Sequence, residues 1–235
     1  EPSLAEMTRS AITRLRNNPK GYVLLVEGGR IDHAHHKGNA HRALVDTIAL
    51  SDAVKVADTM TSAEDTLILV TADHAHTLGF VGYPVRGNPV LGKVRGTSGE
   101  DGEPGTLARD ALGLPFTTLI YANGPGYVGA TTQSPEGPKS FAHSTSGYQA
   151  ATQGRPDLTD VDTEHPDFLQ EAMVPLSSES HGGDDVGIWA RGPGSEAVRG
   201  SVEQALMSEV PGLRATIQLL PSDVEAHFDD PRDLK

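Results

Sequence analysis

Two rhythms of apolar residues alternate along this chain. Near its start Leu4, Met7, Ala11 and Leu15 recur at helical spacing, and Ser3 with Glu6 three positions on forms a capping-box pattern. A helix is predicted directly after Ser3. "GYVLLVEGG" (21–29) then runs apolar without alternation and closes on an acid and two glycines, as a strand covered on both faces would. From about His41 to Ser62 the helical rhythm returns, with Val45, Ala49, Ala53, Val56 and Met60 in one stripe. "TLILVTADH" (66–74) repeats the apolar strand that ends in ligand-type residues. Strand, long helix and strand predict a parallel pair joined by a crossover. "FTTLIYANG" (116–124) and "DVGIWARG" (185–192) are further predicted strands, and "SEAVRGSVEQALMSEV" (195–210) a late helix.

Between Gly79 and Ser180 the texture changes to Gly, Pro, Ser and Thr, a stretch longer than ordinary loops. Three parts are therefore expected: 1–78 as the first part of an α/β core, 79–180 as a loop-rich excursion holding a subdomain and one or more core strands, and 181–235 as the return to the core. No internal repeat is evident. The opening residues lack an apolar signal core and do not begin with Met, so they read as neither a secretory leader nor an obvious natural start.

Composition narrows the partners. The chain has 235 residues, a formal charge of −13 and a pI near 5.1. Such an acidic balance disfavours a nucleic-acid partner, since phosphate backbones attract basic faces. No apolar run approaches the roughly 20 residues of a membrane span. The absence of Cys excludes disulfides and thiolate zinc sites, and leaves the redox compartment open.

The chemistry gathers where the predicted strands end, which is where open α/β sheets bind ligands. Asp32 and His36 are four apart, so one helical turn would set a carboxylate beside an imidazole, as in two ligands of one zinc. Standing alone, "IDHAHH" would read equally well as a solvated surface pair. Asp73 also suits a capped turn after a strand, a reading that leaves His74 and His76 unexplained. His181 precedes two glycines and a strand, so backbone can approach a bound ion closely. Counted as ligands, Asp32, His36 and His181 would satisfy one zinc with an open position, Asp73 and His74 would serve a second zinc, and Glu27 suits a hard ion such as magnesium. Two metals about 4 Å apart clamp the attacking and leaving oxygens of a phosphoryl displacement.

"VEGGRIDHAHH" (26–36), "TADHAHTLGFVGYPVRGN" (71–88), "NGPGYV" (123–128) and "VPLSSESHGGDDVGIWARGP" (174–193) together resemble the C-terminal half of alkaline phosphatases, especially the animal and related bacterial type. The matched blocks extend from about Gly21 to Gln204, with unmatched inserts near 94–114 and 130–153. The resemblance implies part of a three-layer α/β/α, mostly parallel sheet, with an inserted crown-like loop region. It implies two zinc ions and one magnesium: Asp32, His36 and His181 at the first zinc, Asp73 and His74 at the second, Glu27 on magnesium. It also implies that His33 helps place phosphate, that His76 stands beside the ligands, and that Tyr83 matches a tyrosine that in some members crosses to the partner's active site.

The family's seryl nucleophile belongs to an N-terminal block with no equivalent in residues 1–235; Ser98, Ser134 and Ser177 lie in other contexts. The resemblance therefore implies a C-terminal half, inactive until joined by a complementary N-terminal half, in a homodimer that hydrolyses small phosphate monoesters in the periplasm or outside the cell. A related phosphodiesterase or sulfatase, or a non-catalytic zinc-binding module, are the competing expectations.

Overall fold

The computed structural model describes residues 1–96, 105–110, 112–127 and 155–203. The helices are α1 (Leu4–Leu15), α2 (Arg30–His36) and α3 (Ala40–Met60). The strands are β1 (Ile68–Thr71), β2 (Ala75–His76), β3 (Leu78–Phe80), β4 (Leu119–Gly124), β5 (Ala172–Pro175), β6 (His181–Gly182) and β7 (Ile188–Arg191). The chain divides into two compact units, one of Glu1–Glu27, Ala49–Asp73 and Val186–Lys235, the other of Gly28–Ile48 and His74–Asp185.

In the first unit α1 begins as its capping box dictates. The Glu6 amide donates to Ser3 Oγ at 3.2 Å, and the Ser3 amide donates to Glu6 Oε2 at 2.7 Å. Its buried residues are Thr8 and Ile12, while Met7 is 48% exposed, so the buried face is rotated from the predicted stripe. β1 pairs antiparallel with β7, Ile68 opposite Arg191 and Thr71 opposite Ile188. Arg191 then reaches the end of α3, donating from Nη2 to the carbonyls of Asp58 and Thr61 at 3.1 and 3.0 Å. A cation there satisfies carbonyls the helix leaves unpaired. Gly192 (φ +111°) follows because a Cβ at this point would lie 2.1 Å from the Thr66 carbonyl oxygen.

Three expectations fail here. Residues 21–28 form no strand, and Leu25 is 70% exposed. An apolar run becomes a strand only where neighbours take up its backbone hydrogen bonds, and no described strand pairs with it. The parallel crossover pair predicted between this run and β1 is therefore absent among the described residues. Residues 195–203 hold only a 3₁₀ turn at Ser195–Ala197, so the late helix does not start at Ser195; its remainder, 204–210, lies outside the described residues. On α3, Ala40, Ala43 and Ala53 are buried while Val45 is 52% exposed. Of the expected stripe Ala53 is thus buried, Ala49, Val56 and Met60 are partly buried, and only Val45 departs from it.

The second unit contains the observed parallel pairing. β4 runs between β3, antiparallel, and β5, parallel, with Tyr121 opposite both Leu78 and Ala172. β2 pairs with β6, which sets His76 opposite His181. The α/β class expected from the sequence is what the elements show. Tyr121, Leu119, Phe168, Leu158 and Val94 are fully buried and form the core of this unit. Gly126 is required where the chain after β4 passes the strand leading into β5, since a Cβ would stand 1.9 Å from the Gln170 carbonyl oxygen.

Two polar devices hold its loops. The Lys93 ammonium donates to the carbonyls of Leu158, Thr159 and Val161 at 2.8, 3.0 and 2.8 Å. Arg155 bridges Asp110 at 2.8 Å and the buried Glu171 at 2.6 Å. Beside α2, Asn39 caps α3 by accepting the Arg42 amide at 3.0 Å, and Gln170 Oε1 accepts the Ala40 amide at 2.7 Å. These contacts fix the start of α3, separated from the end of α2 by three residues. No helix among the described residues is long and apolar enough to cross a membrane.

Candidate metal centre

Asp32 and His36 lie one turn apart on α2, so the Asp32 carboxylate and the His36 ring meet on one face, Oδ1 to Nε2 at 3.2 Å. Other segments of the same unit bring three more imidazoles to that oxygen. His76 Nε2 lies 3.0 Å from Asp32 Oδ1, His181 Nε2 3.4 Å and His74 Nε2 3.8 Å. His181 Nε2 is also 3.2 Å from His36 Nε2. The rings pack face to face: His74 stacks on His181 with centroids 3.5 Å apart, and His35 stacks on His76 at 4.5 Å.

The ring protons can be placed from acceptor-only partners. His36 Nδ1 donates to the Glu179 carbonyl at 2.5 Å, and His74 Nδ1 to the Ala75 carbonyl at 3.2 Å. His76 Nδ1 donates to Glu179 Oε2 at 2.7 Å. With Nδ1–H donated outward, each of these rings turns its Nε2 toward the cluster, where it could serve as a ligand atom. Lone pairs from several rings converging on a carboxylate oxygen repel unless a positive charge sits among them.

The donor set fits a metal ion. Asp32 Oδ1, His36 Nε2 and His181 Nε2 form a triangle with edges of 3.2, 3.4 and 3.2 Å. Tetrahedral zinc with bonds near 2.05 Å has ligand atoms roughly 3.3 Å apart. Asp32, His74, His76 and His181 likewise offer atoms close enough to share an ion, as do His36, His76 and Glu179. One flank is wet and the other dry. The His181 side chain is 49% exposed, whereas His76 is 8% and Glu179 0% exposed.

Behind the cluster stand residues to which the sequence reading gave no role. The Glu179 carboxylate accepts the amide and the hydroxyl of Thr77, both at 2.7 Å, besides the His76 ring. His35 Nδ1 is hydrogen-bonded to the buried Tyr121 hydroxyl at 2.8 Å. Burial, reinforced by the His76 imidazole, pushes His35 down to about 4, while the carboxylates of Glu179 and Asp32 oppose it. Burial and then the Glu179 charge push the Tyr121 phenol up. A signal existed for two of them: Glu179 precedes His181 by two positions, and His35 lies inside "IDHAHH".

The other predicted site residues are not members of these two ligand groups. His33 lies on α2, is exposed, and falls outside both possible ligand sets. Glu27 and Asp73 belong to the first unit and are exposed there. Tyr83 is 79% exposed.

Comparison with known proteins points to one family. The alkaline phosphatase family model matches residues 1–213. A tissue-nonspecific alkaline phosphatase of Gallus gallus is 41% identical over 206 residues, 87% of this chain and 33% of that protein. An alkaline phosphatase of Gadus morhua is 40% identical over 204 residues, 87% of this chain and 36% of that one. Among solved structures, the cold-active alkaline phosphatase of the psychrophile Shewanella sp. is 34% identical, with a TM-score of 0.32 over 34% of this chain and 21% of that one, too little overlap to bear on the fold. The chain spans about a third of the length of the curated relatives it matches. With the family model matching residues 1–213, and so all three blocks that carry the imidazoles, the chain belongs to the alkaline phosphatase family.

Proposed function

We propose that this chain carries most of the metal ligands of a phosphate monoester hydrolase. Asp32, His36 and His181 would hold a first zinc, Asp73 and His74 a second, and Glu27 a magnesium ion. Bound metals of this kind polarise a phosphoryl oxygen and lower the pKa of a bound water. The observation that carries the reading is the near-equilateral triangle of Asp32 Oδ1, His36 Nε2 and His181 Nε2, sized for one tetrahedral ion. The parts given to Asp73 and Glu27 rest on the sequence resemblance.

The chain's own groups divide the work. Asp32 supplies negative charge at the centre of the cluster, and the carbonyls of Glu179 and Ala75 hold His36 and His74 with Nε2 inward. The exposed flank at His181 leaves room for a phosphate ester to approach, and His33 would help place that phosphate. The seryl nucleophile would come from a complementary N-terminal segment outside residues 1–235, and the protein would act as a homodimer, in the periplasm or outside the cell, with Tyr83 near the partner's site.

Hydrolysis by the intact protein should be compared for an aryl phosphate, the matching diester and the matching sulfate, with zinc content measured alongside. The reading expects the monoester to be preferred and at least two zinc ions per active site. Preference for the diester or sulfate would move the protein to the related hydrolases, and zinc binding without hydrolysis of any ester would favour a storage module.

A further inference from the structure

Glu179 is a buried carboxylate, only 1% exposed, in a segment otherwise open to solvent. Burying a charge this completely costs several kcal/mol unless its oxygens are satisfied. Here every oxygen is used. Oε1 accepts the Thr77 amide and hydroxyl, and Oε2 accepts His76 Nδ1. The backbone of the same residue grips α2 on both sides of the peptide: its amide donates to the His36 carbonyl at 2.8 Å, and its carbonyl accepts His36 Nδ1. One residue thus ties together α2, the segment His74–Thr77 and the approach to β6, the three segments that bring the cluster its imidazoles.

We infer that Glu179 is a positioning residue of the metal centre, setting the tautomer of His76 and through it the edge that His76 presents to Asp32; the inference rests on the proposed zinc site. The Thr77 amide is donor-only, so the group at Oε1 must accept. In Glu179→Gln the amide oxygen therefore stays on Thr77, and the amide NH2 faces His76 Nδ1. That nitrogen must then accept, and the ring proton moves to Nε2, 3.0 Å from Asp32 Oδ1. An N–H donated to this oxygen competes with a metal for the same lone pairs. The substitution keeps shape and burial while reversing a single hydrogen bond.

The test uses the intact protein labelled with nitrogen-15 in histidine. Two-bond proton–nitrogen correlation on metal-free protein reads the His76 tautomer, and competition with a zinc chelator reads affinity. Wild type should carry a His76 proton on Nδ1, and Glu179→Gln none there, its ring proton lying on Nε2 alone, with zinc affinity lower by about 10-fold or more and thermal unfolding little changed. An unchanged tautomer, or a changed tautomer with unaltered affinity, overturns the inference. If Glu179→Gln fails to fold, His76→Ala takes its place: it should weaken zinc about as much, and wild-type affinity in that variant overturns the inference too. Failure of the proposed function looks different, since wild type would then bind no zinc, or bind it without preferring the monoester, while the tautomer arm still reports on Glu179.

Discussion

His36 Nε2 and His181 Nε2 stand 3.2 Å apart across 145 positions of sequence. Both rings face Asp32 Oδ1, at 3.2 and 3.4 Å. Asp32→Asn and His181→Ala should each lower zinc affinity by more than the ~10–100-fold that loss of an outer partner costs. Because His181 is half exposed, the metal-free fold should lose only about 0.5 kcal/mol when it is truncated. Zinc content after dialysis, with thermal unfolding of the metal-free protein, checks both; wild-type zinc retention would sink the ligand assignment.

Removing metal from the intact protein should lower its stability, because an ion that binds only the folded cluster adds about 2.7 kcal/mol at a hundredfold excess over its dissociation constant. The melting temperature should therefore climb with free zinc and fall with chelator. Asp32→Asn should blunt that response.

Tyr121→Phe removes the hydroxyl bonded to His35 inside the core and leaves the ring in place. A loss of about 1 kcal/mol is expected in chemical denaturation. No loss would mean that this hydrogen bond contributes nothing to holding His35 against His76.

Lys93→Met withdraws one ammonium from three carbonyls, those of Leu158, Thr159 and Val161. The stranded acceptors should cost roughly 1–3 kcal/mol in total. Limited proteolysis of the 155–167 segment should quicken in step; equal cleavage rates would contradict the role.

Glu171 gives a pH dependence whose sign follows from its burial. Burial raises its pKa above the usual 4.5, against the pull of Arg155 and with help from Asp110, and its Oε1 has no hydrogen-bond partner among the described residues. The folded state holds this proton more tightly than the unfolded chain. Its contribution is thus complete below the unfolded value and is lost as pH rises through the folded one. Glu171→Gln should flatten that decline, as read by urea unfolding between about pH 4 and about pH 8; an unchanged slope would place the dependence elsewhere.

Much of this protein is local and therefore legible from its residues. Ser3 and Glu6 write the start of α1 within four positions, the apolar runs at Ile68–Thr71, Leu119–Gly124 and Ile188–Arg191 write strands, and the blocks around Asp32, His74 and His181 write the family. What tertiary structure alone decided are relations between distant groups. The run at 21–28 has strand composition, yet it is no strand because no described neighbour takes its backbone hydrogen bonds. Glu179 reads as one more acid in a serine-rich segment until folding buries it beneath His76 and Thr77. Propensity and capping act over a few residues and are carried by the sequence itself, whereas burial and hydrogen-bond partnership depend on which segments the completed fold brings within about 3 Å of each other.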